Sequence, residues 1–158
     1  MIQCGTGLFF CVADILHPFS ASKETSAYIA SRGWQSKPVL ADHDVFTTAV
    51  SSHLQRPFYN LRGGHENTFF RNPPDRSVSR LKPFLEKYSG GDFLILLTYP
   101  PPASLPPGIR LEKTFPAGMV PYEKYYLLTV SPAAFPSPDI NSRCLLLRPI
   151  LREPAAPE

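Results

Sequence analysis

Residues 92–99 read DFLILLTY and are the strongest strand candidate in the chain, because positions 93–97 and Tyr99 all carry apolar side chains. A strand with one face in water alternates apolar and polar residues, whereas a strand covered on both faces is apolar throughout. Two glycines precede the stretch and three prolines follow it, and both residue types interrupt regular structure. The pattern predicts a central strand of a mainly parallel sheet, covered on both faces.

Helix and strand patterns alternate along the chain before this strand. Short apolar runs bounded by polar or turn residues predict strands, and apolar residues spaced by three or four predict helices. Serines suit the start of the first helix, and a glycine is placed to end it in a left-handed conformation. In order, we predict a helix over 20–33, a strand over 38–41, a helix over 42–54 and a strand over 57–61. A loop or broken strand over 65–76 and a helical stretch over 74–88 follow. Pro83 lies inside this last stretch and should kink or divide it.

Two late strands, over 109–115 and 122–130, complete the predicted elements. This order is typical of a layered α/β protein with a mainly parallel central sheet, flanking helices and late strands. We divide the chain into an apolar N-terminal segment (1–16), an α/β domain (17–131) and a Pro-rich C-terminal tail (132–158). The tail is expected to be loosely docked or disordered.

Composition narrows the class of protein. The 158 residues fit one domain, and a hydrophobic content of 43% against a charged content of 18% excludes wholesale disorder. The 19 prolines exclude a helical bundle or a coiled coil, because each proline removes a backbone donor and fixes φ. The formal net charge is only +3, too weak a field to predict binding to duplex nucleic acid.

The apolar N-terminal segment has two interpretations. Residues 2–16 are apolar on average but interrupted by Gln3 and Asp14, and a bilayer-spanning helix needs about 20 apolar residues. A signal peptide would have a basic leading region and a small-residue cleavage site, which this segment lacks. The segment is therefore either a buried first strand or the cut end of a membrane segment that lies upstream.

The most polar cluster next to a predicted strand is Asp42-His43-Asp44. Ligands commonly bind at the carboxyl ends of the strands in an open α/β sheet, and two carboxylates with an imidazole could in principle hold a metal. The spacing matches no specific metal motif, and capping of the following helix explains the aspartates more simply. We keep the three residues as binding candidates and expect no metal.

A second candidate is Arg62-Gly63-Gly64, where backbone N–H groups could face a phosphate. The surrounding sequence is neither a Walker A loop nor a GxGxxG turn, so an ordinary turn is the competing interpretation. The whole net charge lies in 61–88, where Arg71 is among the basic residues, so we add Arg71 to the binding candidates. Such a stretch suits a phosphate or an anionic headgroup, or is simply a solvated face.

No complete catalytic signature is present. No serine lies in a GxSxG motif, and Cys4, Cys11 and Cys144 form neither a CxxC pair nor a local signature with a histidine. Three widely spaced cysteines do not make a structural zinc site. We therefore predict no catalytic residue and no cofactor.

Several phrases together resemble the soluble C-terminal domain of one bacterial group of membrane proteins. They are PFSASK at 18–23 with AYI at 27–29, LADHD at 40–44, AV at 49–50 with HL at 53–54, and RPFY at 56–59. In these phrases and their order, residues 17–99 resemble relatives of the dolichyl-phosphate-mannose-protein mannosyltransferases, which are multi-span glycosyltransferases that use lipid-linked sugars. The resembling phrases contain no diagnostic catalytic motif.

The resemblance implies a non-catalytic, extracytoplasmic domain that contacts the donor or the acceptor. The family's catalytic acidic residues belong to loops near the start of its membrane domain, so none can be assigned to a position here. The implied partners are the upstream membrane domain of the parent protein and a lipid-linked sugar or membrane surface, with no nucleic acid. The chain is then either a truncated C-terminal part of such a protein or a short open reading frame derived from one.

An independent small α/β enzyme, or a phosphate- or sugar-binding module, is the alternative. It would use Asp42, His43, Asp44 and Arg62. The DNA upstream of Met1 separates the two hypotheses, since an in-frame series of hydrophobic spans there would favour the membrane protein.

If the basic stretch lies at a membrane surface, the protein should bind weakly to anionic vesicles. Replacing Arg71, Arg76 and Arg80 together by Gln should weaken that binding, because each basic residue near such a surface contributes about 1 kcal/mol. Raising the salt concentration should also weaken it, since the Debye length is about 8 Å at physiological ionic strength. Co-sedimentation at low and high salt measures both effects. Binding that neither change affects would exclude the basic stretch.

Overall fold

The computed structural model describes residues 20–42, 44–61, 64–67, 80–88, 90–118 and 123–152. The apolar N-terminal segment lies outside the described residues. In chain order, the elements are α1 (Ser22–Ser31), β1 (Val39–Ala41), α2 (Asp44–His53), β2 (Phe58–Asn60), β3 (His65–Asn67), α3 (Leu81–Tyr88), β4 (Phe93–Leu97), β5 (Ile109–Phe115), β6 (Tyr125–Val130), a 3-10 turn at Pro132–Ala134, and α4 (Ile140–Leu147).

The six strands form one mixed sheet in the order β3-β2-β1-β4-β6-β5. Strand β1 pairs in parallel with β2 on one side and with β4 on the other. The three outer pairings, β2 with β3, β4 with β6 and β5 with β6, are antiparallel. The prediction of an α/β protein whose sheet is parallel in its core is confirmed, and the parallel part is limited to β2, β1 and β4.

Strand β4 is the buried centre of the sheet, as its sequence predicted. All five of its side chains have no solvent exposure. Phe93, Ile95 and Leu97 point into a cluster that includes residues of α3 and α4. Leu94 and Leu96 point into a second cluster that includes residues of α1 and α2. Because successive side chains of a strand point to opposite faces, the helices bury both faces of β4.

Helix α1 ends as the glycine signal indicated. Gly33 has a φ of +68°. Its N–H donates to the carbonyl oxygen of Ala30 at 3.0 Å, and the N–H of Trp34 donates to that of Ile29 at 3.1 Å. This pair of bonds is a Schellman motif, which a residue with a Cβ would strain.

The kink expected at Pro83 is not found in the described part of the chain. Helix α3 begins at Leu81, so Pro83 lies in its first turn. The N–H groups of the first turn have no partner within the helix, so a proline there removes no intrahelical hydrogen bond. The proposed start of this helix at 74–79 lies outside the described residues.

The prediction of a loosely docked tail is wrong for residues 132–152. Helix α4 lies in this segment, and the Asp139 carboxylate caps it by accepting from the N–H of Ser142 at 2.9 Å. Leu147, Ile150 and Leu151 are buried in the same cluster as alternate residues of β4. Pro132, Pro136 and Pro138 precede the helix, while apolar residues after them cover the sheet. Residues 153–158 lie outside the described residues.

Replacing Leu96 by Asp should destabilise the protein by more than about 4 kcal/mol, because the change places an unpaired carboxylate at a fully buried position of β4. Leu111→Asp is the matched control, since this β5 leucine is 43% exposed, and its effect should be within about 0.5 kcal/mol. Chemical denaturation measures both. Equal midpoints for Leu96→Asp and the parent protein would show that β4 is not buried in solution.

Candidate functional site

The connections of the sheet create a crevice where β1 and β4 end. From β1 the chain crosses through α2 to β2 on one side, and it later returns to β4 on the other side of β1. The connections that leave β1 and β4 therefore run in opposite directions. In open α/β sheets, ligands bind outside the carboxyl ends of the strands at such a switch point.

Asp42 lies at this point, directly after β1. Its backbone N–H donates to the carbonyl oxygen of Leu96 at 3.2 Å, which continues the β1–β4 pairing by one residue. Its side-chain Oδ2 accepts from the backbone N–H of Thr98 at 3.2 Å and from the Thr98 hydroxyl at 2.8 Å. Asp42 is only 3% exposed. The carboxylate therefore joins the ends of the two parallel strands.

Tyr125 is brought to the same place by β6. Tyr126 pairs with Leu97, so Tyr125 lies beside the position of Thr98 across the antiparallel ladder. The Tyr125 hydroxyl donates to the carbonyl oxygen of Phe46 in the first turn of α2 at 2.5 Å. Burial of the ring raises the pKa of Tyr125, and the negative charges of Glu123 and Asp42 raise it further, while a hydrogen bond with Ser20 lowers it.

We call Asp42, Thr98, Glu123 and Tyr125 the edge cluster. Asp42 and Tyr125 are buried, whereas Thr98 and Glu123 are partly exposed. The cluster contains two carboxylates and two hydroxyls. Carboxylates repel phosphate but accept hydrogen bonds from hydroxyl groups. A neutral ligand rich in hydroxyl groups therefore suits the edge cluster better than a phosphate.

Other buried hydroxyl groups of α1 and α2 have a structural explanation. The Thr25 hydroxyl donates to the carbonyl oxygen of Ala21 at 2.8 Å, and the Ser26 hydroxyl donates to the carbonyl oxygen of Ser22 at 2.7 Å. In α2, the Ser51 hydroxyl donates to the carbonyl oxygen of Arg56 at 2.6 Å. These groups are satisfied by nearby backbone and do not form a site.

The predicted site residues are only partly described. Asp42 belongs to the edge cluster, and Asp44 is the first residue of α2. Thr98 and Tyr125 were missed; the one available signal was that a threonine directly follows the strongest strand. The predicted site residues that lie outside the described residues are His43, Arg62, Gly63 and Arg71.

Gly64 is used by the turn between β2 and β3. Its φ is +70°, and its N–H donates to the carbonyl oxygen of Asn60 at 2.8 Å. A Cβ at this position would lie 2.8 Å from Cδ of Arg80. The N–H of Gly64 is therefore not available to a phosphate. A glycine is required at this position by the backbone conformation and by the close contact with Arg80.

Neither a metal-binding cluster nor a membrane-spanning helix occurs in the part of the chain that the structure describes. No group there contains three or more His, Cys, Asp or Glu residues placed to hold a metal ion. No described helix has both the length and the apolar character needed to cross a bilayer.

No known protein-family model matches the chain, and no curated protein and no solved structure is significantly similar to it.

Tyr125→Phe should lower the free energy of unfolding by about 1 kcal/mol at neutral pH, because the Phe46 carbonyl loses its hydroxyl donor. The tyrosine ionises near pH 10 in the unfolded chain and only at higher pH in the folded protein, where its pKa is raised. Its contribution to stability is therefore present below pH 10 and declines as the pH rises above it. Urea unfolding of both proteins from pH 8 to pH 11 tests this. A difference that stays constant across that range would contradict it.

Proposed function

We propose that the chain is a non-catalytic α/β domain that binds a sugar-bearing ligand at the edge cluster, as part of a membrane glycosyltransferase that acts on lipid-linked sugars. The observation that carries the ligand-binding part is the Asp42 carboxylate, which is buried at the switch point of the sheet and bonded twice to Thr98. The layered arrangement, with helices on each side of the sheet, belongs to this proposal and leaves the strand ends open to a ligand.

The members of the edge cluster differ in burial and in hydrogen bonding, so we assign them different roles. Asp42 is almost fully buried and accepts two hydrogen bonds at Oδ2, so it holds Thr98 in place and does not contact the ligand directly. Thr98 and Glu123 are partly exposed, so they contact the hydroxyl groups of the sugar. A carboxylate held by two donors is a poor nucleophile or general acid, and this supports binding without catalysis.

The resemblance supports the membrane part of the proposal. The described residues of its phrases lie on or next to α1, β1, α2 and β2, and LADHD at 40–44 contains the end of β1 together with Asp42. The phrases from position 40 onward therefore belong to the β1-α2-β2 unit that borders the crevice. The corresponding partners are an upstream membrane domain and a lipid-linked sugar or membrane surface.

Titration with a panel of monosaccharides, mannose included, tests the ligand-binding part by two-dimensional NMR. The panel should shift amide signals of Thr98, Tyr99 and residues 123–125 at millimolar concentration. Thr98→Val should weaken binding about fivefold, since one hydrogen bond contributes about 1 kcal/mol. Thr98→Ser keeps the hydroxyl and should bind as the parent protein does.

Thr114→Val, at an exposed position of β5, is the matched control and should leave binding unchanged. Shifts that are absent, or equal in Thr98→Val and Thr114→Val, would refute sugar binding at the edge cluster. The membrane part is tested separately by the DNA upstream of Met1. An upstream reading frame without hydrophobic spans would refute that part and leave sugar binding standing.

A further inference from the structure

A pocket of about 190 Å³ lies at the opposite end of the parallel strands from the edge cluster. It is formed where β1 and β2 begin, beside β3 and under the end of α3. Its lining includes Pro38, Arg56, Pro57, Tyr59 and Tyr88. Three of its lining residues, Arg56, Pro57 and Tyr59, belong to the resembling phrase at 56–59, but the proposed ligand does not use this pocket. Its walls combine apolar and aromatic surface with one guanidinium group.

Arg56 brings a positive charge into the pocket. Its two terminal nitrogens donate to the backbone carbonyl oxygens of Gln35 and Lys37. Its Nε is buried without a hydrogen-bond partner. No ion pair among the described residues includes Arg56. A guanidinium has five N–H donors, so three of them are not used by these bonds.

The desolvated position of Arg56 favours an anion. Burial lowers the pKa of Arg56, although an arginine side chain still keeps its proton at neutral pH. A charge removed from water is stabilised by a partner of opposite sign, and a carboxylate can accept two parallel N–H bonds from a guanidinium. The Arg56 side chain therefore provides one end of a binding site.

Glu66, the acidic residue of the pocket, is already balanced. Its Oε1 accepts from Nζ of Lys87 at 2.9 Å and from the Tyr88 hydroxyl. The hydrogen bond from Tyr88 is the main cause that lowers the pKa of Glu66, and that from Lys87 adds to it. Because Lys87 pairs with this carboxylate, none of the described acidic side chains in the pocket balances the positive charge of Arg56.

The apolar walls determine the rest of the ligand. The ring centroids of Tyr59 and Phe84 are 5.1 Å apart, and those of Phe84 and Tyr88 are 5.0 Å apart, so three aromatic rings pack along one wall. Pro38 and Pro57 line the strand side. A cavity of about 150 Å³ can hold benzene, so this pocket has room for one ring and a carboxylate. A phosphate would leave several oxygens facing these apolar walls.

We propose that this pocket binds a small carboxylate carrying a single aromatic or similar apolar ring, with the carboxylate on the Arg56 guanidinium and the ring against Tyr59, Phe84 and Tyr88. This site lies at the other edge of the sheet and does not depend on the proposed function.

Benzoate is the probe, compared with benzyl alcohol and inorganic phosphate in NMR titrations. Benzoate should shift the amide signals of Val39, Tyr59 and Tyr88 and bind at least tenfold more tightly than either comparison compound. Arg56→Gln should lower benzoate affinity at least tenfold. Equal binding of benzyl alcohol would overturn the role of the charge, and equal binding of phosphate would overturn the role of the ring.

A second variant is needed because Arg56 also donates hydrogen bonds to the backbone carbonyls of Gln35 and Lys37. The loss of these bonds in Arg56→Gln can unfold the protein. Ser36→Phe places a ring in the pocket from an exposed lining residue and leaves the Arg56 bonds intact. Ser52→Phe, at an exposed position of α2, is its control. Benzoate binding should be lost in Ser36→Phe and kept in Ser52→Phe. Equal binding by these two variants would overturn the assignment to this pocket.

Discussion

Strand β4 must be covered on both faces, because Phe93 to Leu97 have no contact with solvent. This constraint is met by side chains that other segments bring to each face of the strand. Leu81, Phe84 and Leu147 cover one face, while Ile29 and Val50 cover the other. Residues 140–151 of the tail dock on the sheet for the same reason, since side chains of α4 and of the residues after it fill part of the first cluster.

The parallel pairing of β1 with β4 gives the sheet two chemically different ends. At the carboxyl ends, Asp42 and Glu123 add negative charge beside the hydroxyl groups of Thr98 and Tyr125. At the amino ends, the guanidinium of Arg56 brings a positive charge that forms no ion pair with any residue the structure describes. A ligand that suits one end is therefore rejected by the other, so the two proposed sites take different chemistry.

Local sequence patterns were sufficient to predict most of the helices and strands. Continuous apolarity predicted β4, and Gly33 predicted the end of α1. The short apolar runs before and after α2 predicted β1 and β2. Strand β3 was not predicted as a regular strand, because His65, Glu66 and Asn67 are polar and are held by pairing with β2. The docked α4 was not predicted, because the prolines before it indicate irregular structure and the apolar run within it is short.

The candidate site was less predictable than the fold because its contacts join distant parts of the chain. The aspartate was found because it follows a predicted strand. Its partner Thr98 is 56 positions away, and Tyr125 and Phe46 are 79 positions apart. Sequence spacing carries no information on such contacts, and only the strand order brings these residues together. Arg56 was likewise not predicted as a site residue, since its hydrogen-bond partners are backbone carbonyls of another segment.

The two ends are connected by a short and rigid strand. Val39 lines the Arg56 pocket, and Asp42 belongs to the edge cluster. The two residues are three positions apart along β1, which is about 10 Å of extended chain. Strand β1 is fully buried and paired on both sides, so its backbone has one arrangement. Coupling between two sites requires an element with two arrangements that both ligands bias. Binding at one end of β1 should therefore leave affinity at the other end unchanged.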